Sequence, residues 1–306
     1  MWFLSFFLSL ALAPLLPGII NKVKAFFAGR WGPPVLQLYF DTIKLLRKAS
    51  IYSTTTTSLV RITPAISLAT LLVAAAFMPF GTAAAPLAFQ GDAVLFFYLL
   101  AAGRLAIVLG ALDTGSAFEG MGASREVQFS ALAETVVFAI LGFLAILSGD
   151  LSLSGALTGY NISAWTVSGT SMLLAAIACF VVVLVENCRV PFDDPETHLE
   201  LTMIHEAMIL DHAGPDLAFL HYAGALKLWI LASFLALLIL PLGPTASILR
   251  IFIHFGTVLL ISVVIGIVES VLARFRFLKV PQLLVASLAL SLIAILFLHF
   301  FRTSSL

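Results

Sequence analysis

Cysteine is almost missing from this sequence: Cys179 and Cys188 are the only two in 306 residues. A disulfide framework needs more, and a structural zinc or iron–sulfur site built on cysteine needs about four thiolates. Neither can be supplied by this chain alone. Charge is scarce as well. Only 10% of residues are charged and 61% are apolar, with a mean hydropathy of +1.11. A soluble domain carries roughly 25% charged residues, so the composition belongs to the membrane class. The net charge is zero, which removes the electrostatic case for nucleic acid. No lysine or arginine precedes Lys22, so the apolar start lacks the basic region of a cleaved signal and reads as a retained first helix. There is no phosphate-binding G-x-x-x-x-G-K-S/T loop, no dinucleotide fingerprint, no C-x-x-C and no G-x-S-x-G. A stand-alone enzyme is therefore not expected.

What the chain has instead is long apolar runs. Crossing a hydrocarbon core of ~30 Å takes about 20 helical residues. Eight windows qualify: 2–20, 62–80, 93–112, 129–147, 170–186, 226–242, 251–271 and 281–301. No sustained strict alternation suggests a barrel. The expectation is an all-α polytopic membrane protein of about eight transmembrane helices, forming a single membrane domain over residues 1–306. The connections after helices one, three, five and seven carry thirteen lysines and arginines, counting Arg61 and Lys227 at helix ends, against Arg250 and Arg302 on the other side. By the positive-inside rule the odd-numbered loops face the cytoplasm and both termini face away.

Two segments on that basic side look ordered. Over 34–48, Gln37, Asp41, Lys44 and Lys48 share one polar face, with Val35, Leu38, Phe40, Ile43 and Leu46 opposite. This is an amphipathic helix lying in the interface, and Pro33-Pro34 fits its start. Residues 187–225, between helices five and six, hold seven acids (Asp193, Asp194, Glu196, Glu200, Glu206, Asp211, Asp216) and four of the six histidines (His198, His205, His212, His221). If 195–212 is helical, Glu196 and Glu200 share a face. His198, His205 and His212, seven apart, then align as well. Such groups suit a proton relay. A metal site is the weaker reading, because His205-Glu206 lacks the second histidine of H-E-x-x-H, and a solvated acidic cap is the plain one. Ionisable groups inside apolar helices cost about 2.5–3.5 kcal/mol each on insertion scales and are candidates by default. Arg104, Glu134, Glu186 and Glu269 qualify, either as functional groups or as partners that fix packing.

Certain stretches carry a resemblance. Glu186-Asn-Cys-Arg189-Val-Pro191-Phe192-Asp193, and Gly29-Arg30-Trp-Gly32-Pro33 through Gln37, Asp41 and Lys44, resemble the membrane subunit of complex I that forms the quinone chamber. Glu134 and Arg125 match its helix-four glutamate and the arginine before it. Leu112-Asp113-Thr-Gly115-Ser116-Ala-Phe118, Gly122-Ala-Ser-Arg125-Glu126 and Asp193-Asp-Pro-Glu196-Thr-His198-Leu-Glu200-Leu-Thr-Met-Ile-His205-Glu206 are similar to the homologous subunit of formate hydrogenlyases and related group 4 membrane-bound nickel–iron hydrogenases. The quinone-reducing relatives carry a glutamate where His198 stands, which favours a proton relay over quinone binding.

The resemblance implies a membrane-arm subunit in the cytoplasmic (inner) membrane of a prokaryote. It would dock the hydrophilic hydrogenase large and small subunits and iron–sulfur subunits, with antiporter-like membrane subunits and lipid alongside. The nickel–iron centre and iron–sulfur clusters would sit in those partners, with no cofactor in this chain. Glu134, Glu186, Glu196, His198, Glu200, His205, Glu206 and Asp211 would carry or couple protons. Arg30, Asp41, Arg125, Glu126, Arg189 and Asp193 would organise the loops and the docking surface. The alternatives are a quinone-site subunit of a complex I-type dehydrogenase and a passive membrane anchor.

Overall fold

The computed structural model describes residues 2–81, 84–160, 163–193, 203–240 and 247–304, and every regular element among them is helical. The expected first helix over 2–20 is broken into α1 (Trp2–Leu12) and α2 (Leu15–Phe27), bent by 45°. Pro14 at the break and Pro17 lack the N–H that would continue the ladder, and a proline ring clashes with the turn before it. The two halves are long and apolar enough for a span only when taken together. The amphipathic helix follows as α3 (Gln37–Leu46). Then come α4 (Ser58–Ala76), α5 (Asp92–Asp113), α6 (Ala117–Ser148), the short α7 (Leu153–Thr158), α8 (Ser163–Glu186), α9 (His205–Met208), α10 (Pro215–Ile239), α11 (Ile248–Val271) and α12 (Val280–Ser304), with a 3-10 turn at Phe277–Lys279. Seven of these helices are long and apolar enough to cross a membrane, and the bent pair raises the number to eight.

Hydrogen bonds and ion pairs define two ends of the bundle. At one end Lys24 meets Glu269, Thr57 donates to Asp113, Asp211 N–H reaches Glu119, and Arg274 meets Asp193. At the other, the Trp2 indole donates to the Met78 carbonyl, Ala85 N–H to Ser154, Gln90 to Asp150 and the Trp165 indole to the Ile239 carbonyl. The basic connections therefore gather at one end. At 32 residues α6 is about 48 Å long, so it outruns a ~30 Å core.

Helix α10 is buried all round from Leu228 to Leu238, where every face is apolar but for Ser233. It packs against α2, α3, α4, α8 and α11. Helices α4 and α5 approach closely because Gly103 and Gly110 present no side chain: a Cβ at Gly103 would stand 2.6 Å from the Thr70 hydroxyl, and one at Gly110 2.6 Å from that of Thr63. Small residues at such crossings are the usual device of membrane helices. Three expectations are corrected. The fourth span starts at 117 rather than 129, so Arg125 and Glu126, expected in a loop, stand on α6. The sixth span starts at 215 rather than 226, because Gly214, at a positive φ that suits glycine, is followed by a proline at the first helical position. Residues 215–225, expected as loop, are thus helix. The continuous helix over 195–212 is also not formed in its described part: α9 has four residues, and a turn follows it.

Candidate functional site

Four membrane helices each bring one charged side chain to a common point. Arg104 comes from α5, Glu134 from α6, Glu186 from the last residue of α8, and Lys227 from α10. Arg104 Nη1 lies 2.5 Å from Glu186 Oε1, and its Nη2 pairs with Glu134. Lys227 Nζ lies 2.8 Å from Glu186 Oε2. Glu186, only 8% exposed in its side chain, therefore has a cation on each oxygen. Glu126, one helical face away on α6, is buried and accepts from the Cys188 thiol at 3.6 Å. The fields of Lys227, Arg104 and Glu186 all reach it. Counting Glu126, Glu134 and Glu186 against Arg104 and Lys227 leaves three carboxylates for two cations.

A cavity of about 210 Å³ opens beside this cluster. Its lining includes Arg104, Glu126, Glu186, Arg189, Glu206 and Lys227 together with Leu71, Leu100, Leu220 and Leu228. It is large enough for several waters and has the polar partners they need. His205 and His221 also face it. Burial first, then the positive charges of Lys227, His221 and Arg189, push the His205 imidazole down to about 4, so it is neutral at neutral pH.

A second ion group sits toward the basic end. The Glu269 carboxylate of α11, fully enclosed, lies 3.3 Å from Lys24 and 3.5 Å from Arg189. Buried Asp193 pairs with Arg274 at 2.6 Å and accepts the Ile204 N–H at 3.0 Å. Arg125 donates to the Met203 carbonyl at 3.1 Å and lies over the Phe277 ring. Residues 193 and 204 are thereby held side by side, and Arg125 supports the same point.

The residues expected to act together fall into three sets. Glu134, Glu186, His205 and Glu206, with Glu126 and Arg189 from the docking group, do meet at the cluster and its cavity. Glu196, His198 and Glu200 lie outside the described residues. Asp211 is exposed and contributes its N–H to Glu119, away from the cavity. The expected alignment of His205 with His212 also fails: His205 faces the cavity, whereas buried His212 lies beyond the turn after α9. Arg30 is exposed, and Asp41 is half-buried and bonded to Gln37. Arg104 has both its partners in hand, as the packing reading of this residue requires. Lys227, expected at the start of the sixth helix and counted with the charges of the loop before it, is the fourth member of the cluster. The Gly214-Pro215 signal would have placed it inside a helix. Among the described residues no group of three His, Cys, Asp or Glu side chains is arranged to hold a metal.

Comparison with known proteins places this arrangement in context. A model of the NADH dehydrogenase family matches residues 1–299. Hydrogenase-4 component C of Escherichia coli (strain K12) is 31% identical over 294 residues, covering 94% of this chain and 92% of its own. Formate hydrogenlyase subunit 4 of the same organism is 30% identical over 292 residues, covering 93% of each. Among solved structures, a chain of the membrane-bound sulfane sulfur reductase, an archaeal respiratory membrane complex, superposes with a TM-score of 0.84 over 97% of this chain and 99% of its own. At 21% identity that likeness concerns the fold alone.

Proposed function

The chain belongs to the NADH dehydrogenase family, and from that premise we propose that it is the membrane subunit of an energy-converting hydrogenase complex of the formate hydrogenlyase type. In this role it docks the hydrophilic redox arm at its basic, cytoplasmic end and converts electron transfer there into movement of protons or sodium ions. The hydrogenase large and small subunits and iron–sulfur subunits lie on that end, and antiporter-like subunits lie alongside. The names and full-length coverage of the two bacterial relatives support the hydrogenase branch.

One observation carries the coupling role: Arg104 bridges Glu186, on the cavity side, to Glu134, on the outer side of α6. A proton arriving on Glu186 would weaken its hold on Arg104 and leave the guanidinium to Glu134. A charge change near the redox arm is thus felt across the helix bundle through one side chain. Glu134 is 43% exposed near the middle of a membrane helix. An ionic group facing hydrocarbon costs about 2.5–3.5 kcal/mol, so a neighbouring membrane subunit with a polar surface is expected to cover it.

The test is substitution in the assembled complex. Glu134→Gln and Glu186→Gln, with Glu196→Gln and Glu200→Gln beside them, are expected to lower ion translocation per hydrogen evolved while assembly and hydrogen evolution persist. Wild-type coupling in all four rules the path out. A passive anchor would instead show weakened, salt-dependent arm association with unchanged coupling per assembled complex. The apolar wall of the cavity supports a second reading, a quinone site; a quinone-dependent electron-acceptor assay on the purified complex separates it from the first.

A further inference from the structure

His221 stands in the cavity wall on α10, six residues from Lys227 and therefore about 9 Å along the helix toward the basic end. It is half-buried, and neither the ion pairs nor the family motifs give it a task. The cavity wall around it is completed by Asn21 of α2 and Leu38 of α3. Helix α3 packs directly on α10. One turn beyond Leu38 on α3, Asp41 is half-buried, and the Gln37 amide donates to both of its oxygens, at 2.9 and 3.0 Å. The carboxylate of Asp41 lies within electrostatic reach of His221. His221 in turn lies within reach of His205, which has Lys227 and Arg189 on its other side. His221 and His205 therefore line one cavity from two separate elements, and Asp41 stands on a third element that packs on α10. The apolar stripe of α3, Leu36, Phe40, Ile43 and Leu46, points outward. The helix thus turns its carboxylate toward the protein, the reverse of a helix that merely floats on a core with its polar face in water.

We propose that Asp41 and His221 form the inlet through which protons from the aqueous phase at the basic end reach the buried carboxylates, with His205 as the next relay. The assignment rests on the coupling role proposed above and narrows it, since an imidazole passes protons and not sodium ions. Imidazole suits the position because one ring nitrogen accepts while the other donates. The step balances simply. One nitrogen of His221 takes a proton from water held near Asp41, and the other releases one to His205 or to cavity water. The ring is left in its other tautomer, and a flip or proton exchange with water resets it. Asp41 makes proton arrival favourable by stabilising the transient imidazolium.

The test uses the assembled complex in proteoliposomes, with hydrogen evolution as the driving reaction and proton movement as the readout. His221→Ala should lower translocation per hydrogen at least about tenfold, a modest share of what a positioned acid–base group supplies, while hydrogen evolution and assembly persist. Added imidazole, which fits a cavity of about 210 Å³, should restore it. Asp41→Asn should lower translocation in the same direction without rescue by imidazole. Wild-type translocation in His221→Ala, or a loss that imidazole leaves unchanged, overturns the inlet. If His221→Ala does not assemble, His221→Gln and Asp41→Asn take its place, and wild-type translocation in both overturns it equally. Glu186→Gln distinguishes the two levels of the argument. Lost coupling there with an unaffected His221→Ala removes only the inlet, whereas wild-type coupling in both removes the coupling role.

Discussion

Replacing Glu186 by glutamine is the sharpest test of how the charge cluster is held. The carboxylate has Arg104 at 2.5 Å and Lys227 at 2.8 Å, and its side chain is 8% exposed. Glutamine keeps the volume and removes the charge, which leaves two enclosed cations facing a neutral amide. Removing one partner from a buried ion pair costs about 3–5 kcal/mol, because the remaining charge is stranded. Glu134 touches the same guanidinium but is 43% exposed in its side chain. Its charge is itself costly to hold against the apolar surround of α6, and losing it offsets the lost pair, so Glu134→Gln should cost about 1 kcal/mol or less. Thermal unfolding of the detergent-purified subunit, followed by circular dichroism, reads the difference. At roughly 2–4 °C per kcal/mol, Glu186→Gln should lower the midpoint by about 6–20 °C and Glu134→Gln by no more than about 4 °C. Adding Lys227→Met to Glu186→Gln removes one of the stranded cations. The double variant should therefore recover part of the loss, with a coupling of about 0.5–3 kcal/mol. Equal shifts for the two glutamates, or strict additivity of the Glu186 and Lys227 changes, would refute this account of the cluster.

Three further outcomes follow from the same geometry. His205 sits at about 4 when folded, below its ordinary 6.5, so the unfolded chain binds its proton first as pH falls; stability should decline between pH 6.5 and 4, and His205→Asn should flatten that part of the pH–midpoint curve. Gly110→Val pushes side-chain atoms into Thr63, where even a Cβ meets atoms at 2.6, 3.0 and 3.1 Å; a loss of about 1–3 kcal/mol is expected from overpacking, with Gly224→Val, where a Cβ meets nothing, as the comparison in the same unfolding assay. Asp193→Asn releases Arg274 and weakens the clasp on Ile204; limited proteolysis should then cut between 193 and 204 faster than in the wild type, and an unchanged rate would show that the clasp is held elsewhere.

Much of the fold is legible because bilayer physics writes itself into composition. A helix that must bury its backbone polar groups in hydrocarbon needs about 20 apolar residues, and each of the eight windows has a counterpart in the structure. The errors in helix limits, at the starts of α6 and α10 and at the break between α1 and α2, share a cause, the use of polarity alone to mark an element. Residues 215–225 carry Asp216 and His221, and their polarity suggests loop, yet α10 projects beyond the apolar zone and keeps its helix there. The break between α1 and α2 is signalled by Pro14 and Pro17 but masked by an unbroken run of apolar neighbours.

The site divides in the same way. Which ionisable groups lie inside the membrane is decided by sequence position alone, since Arg104, Glu134, Glu186 and Glu269 stand out against apolar neighbours for energetic reasons that need no coordinates. Their pairing is not. Arg104 lies 30 residues from Glu134 and 82 from Glu186. No periodicity within one helix relates such positions; only the packing of α5, α6, α8 and α10 around one point does. The same packing draws Lys227 out of the loop count into the cluster and sends Asp211 to the surface. It also brings α3, which carries Asp41, onto α10, which carries His221. Hydropathy is a property of a segment and survives in one dimension. Charge pairing is a property of distance between segments, and tertiary structure alone decides it.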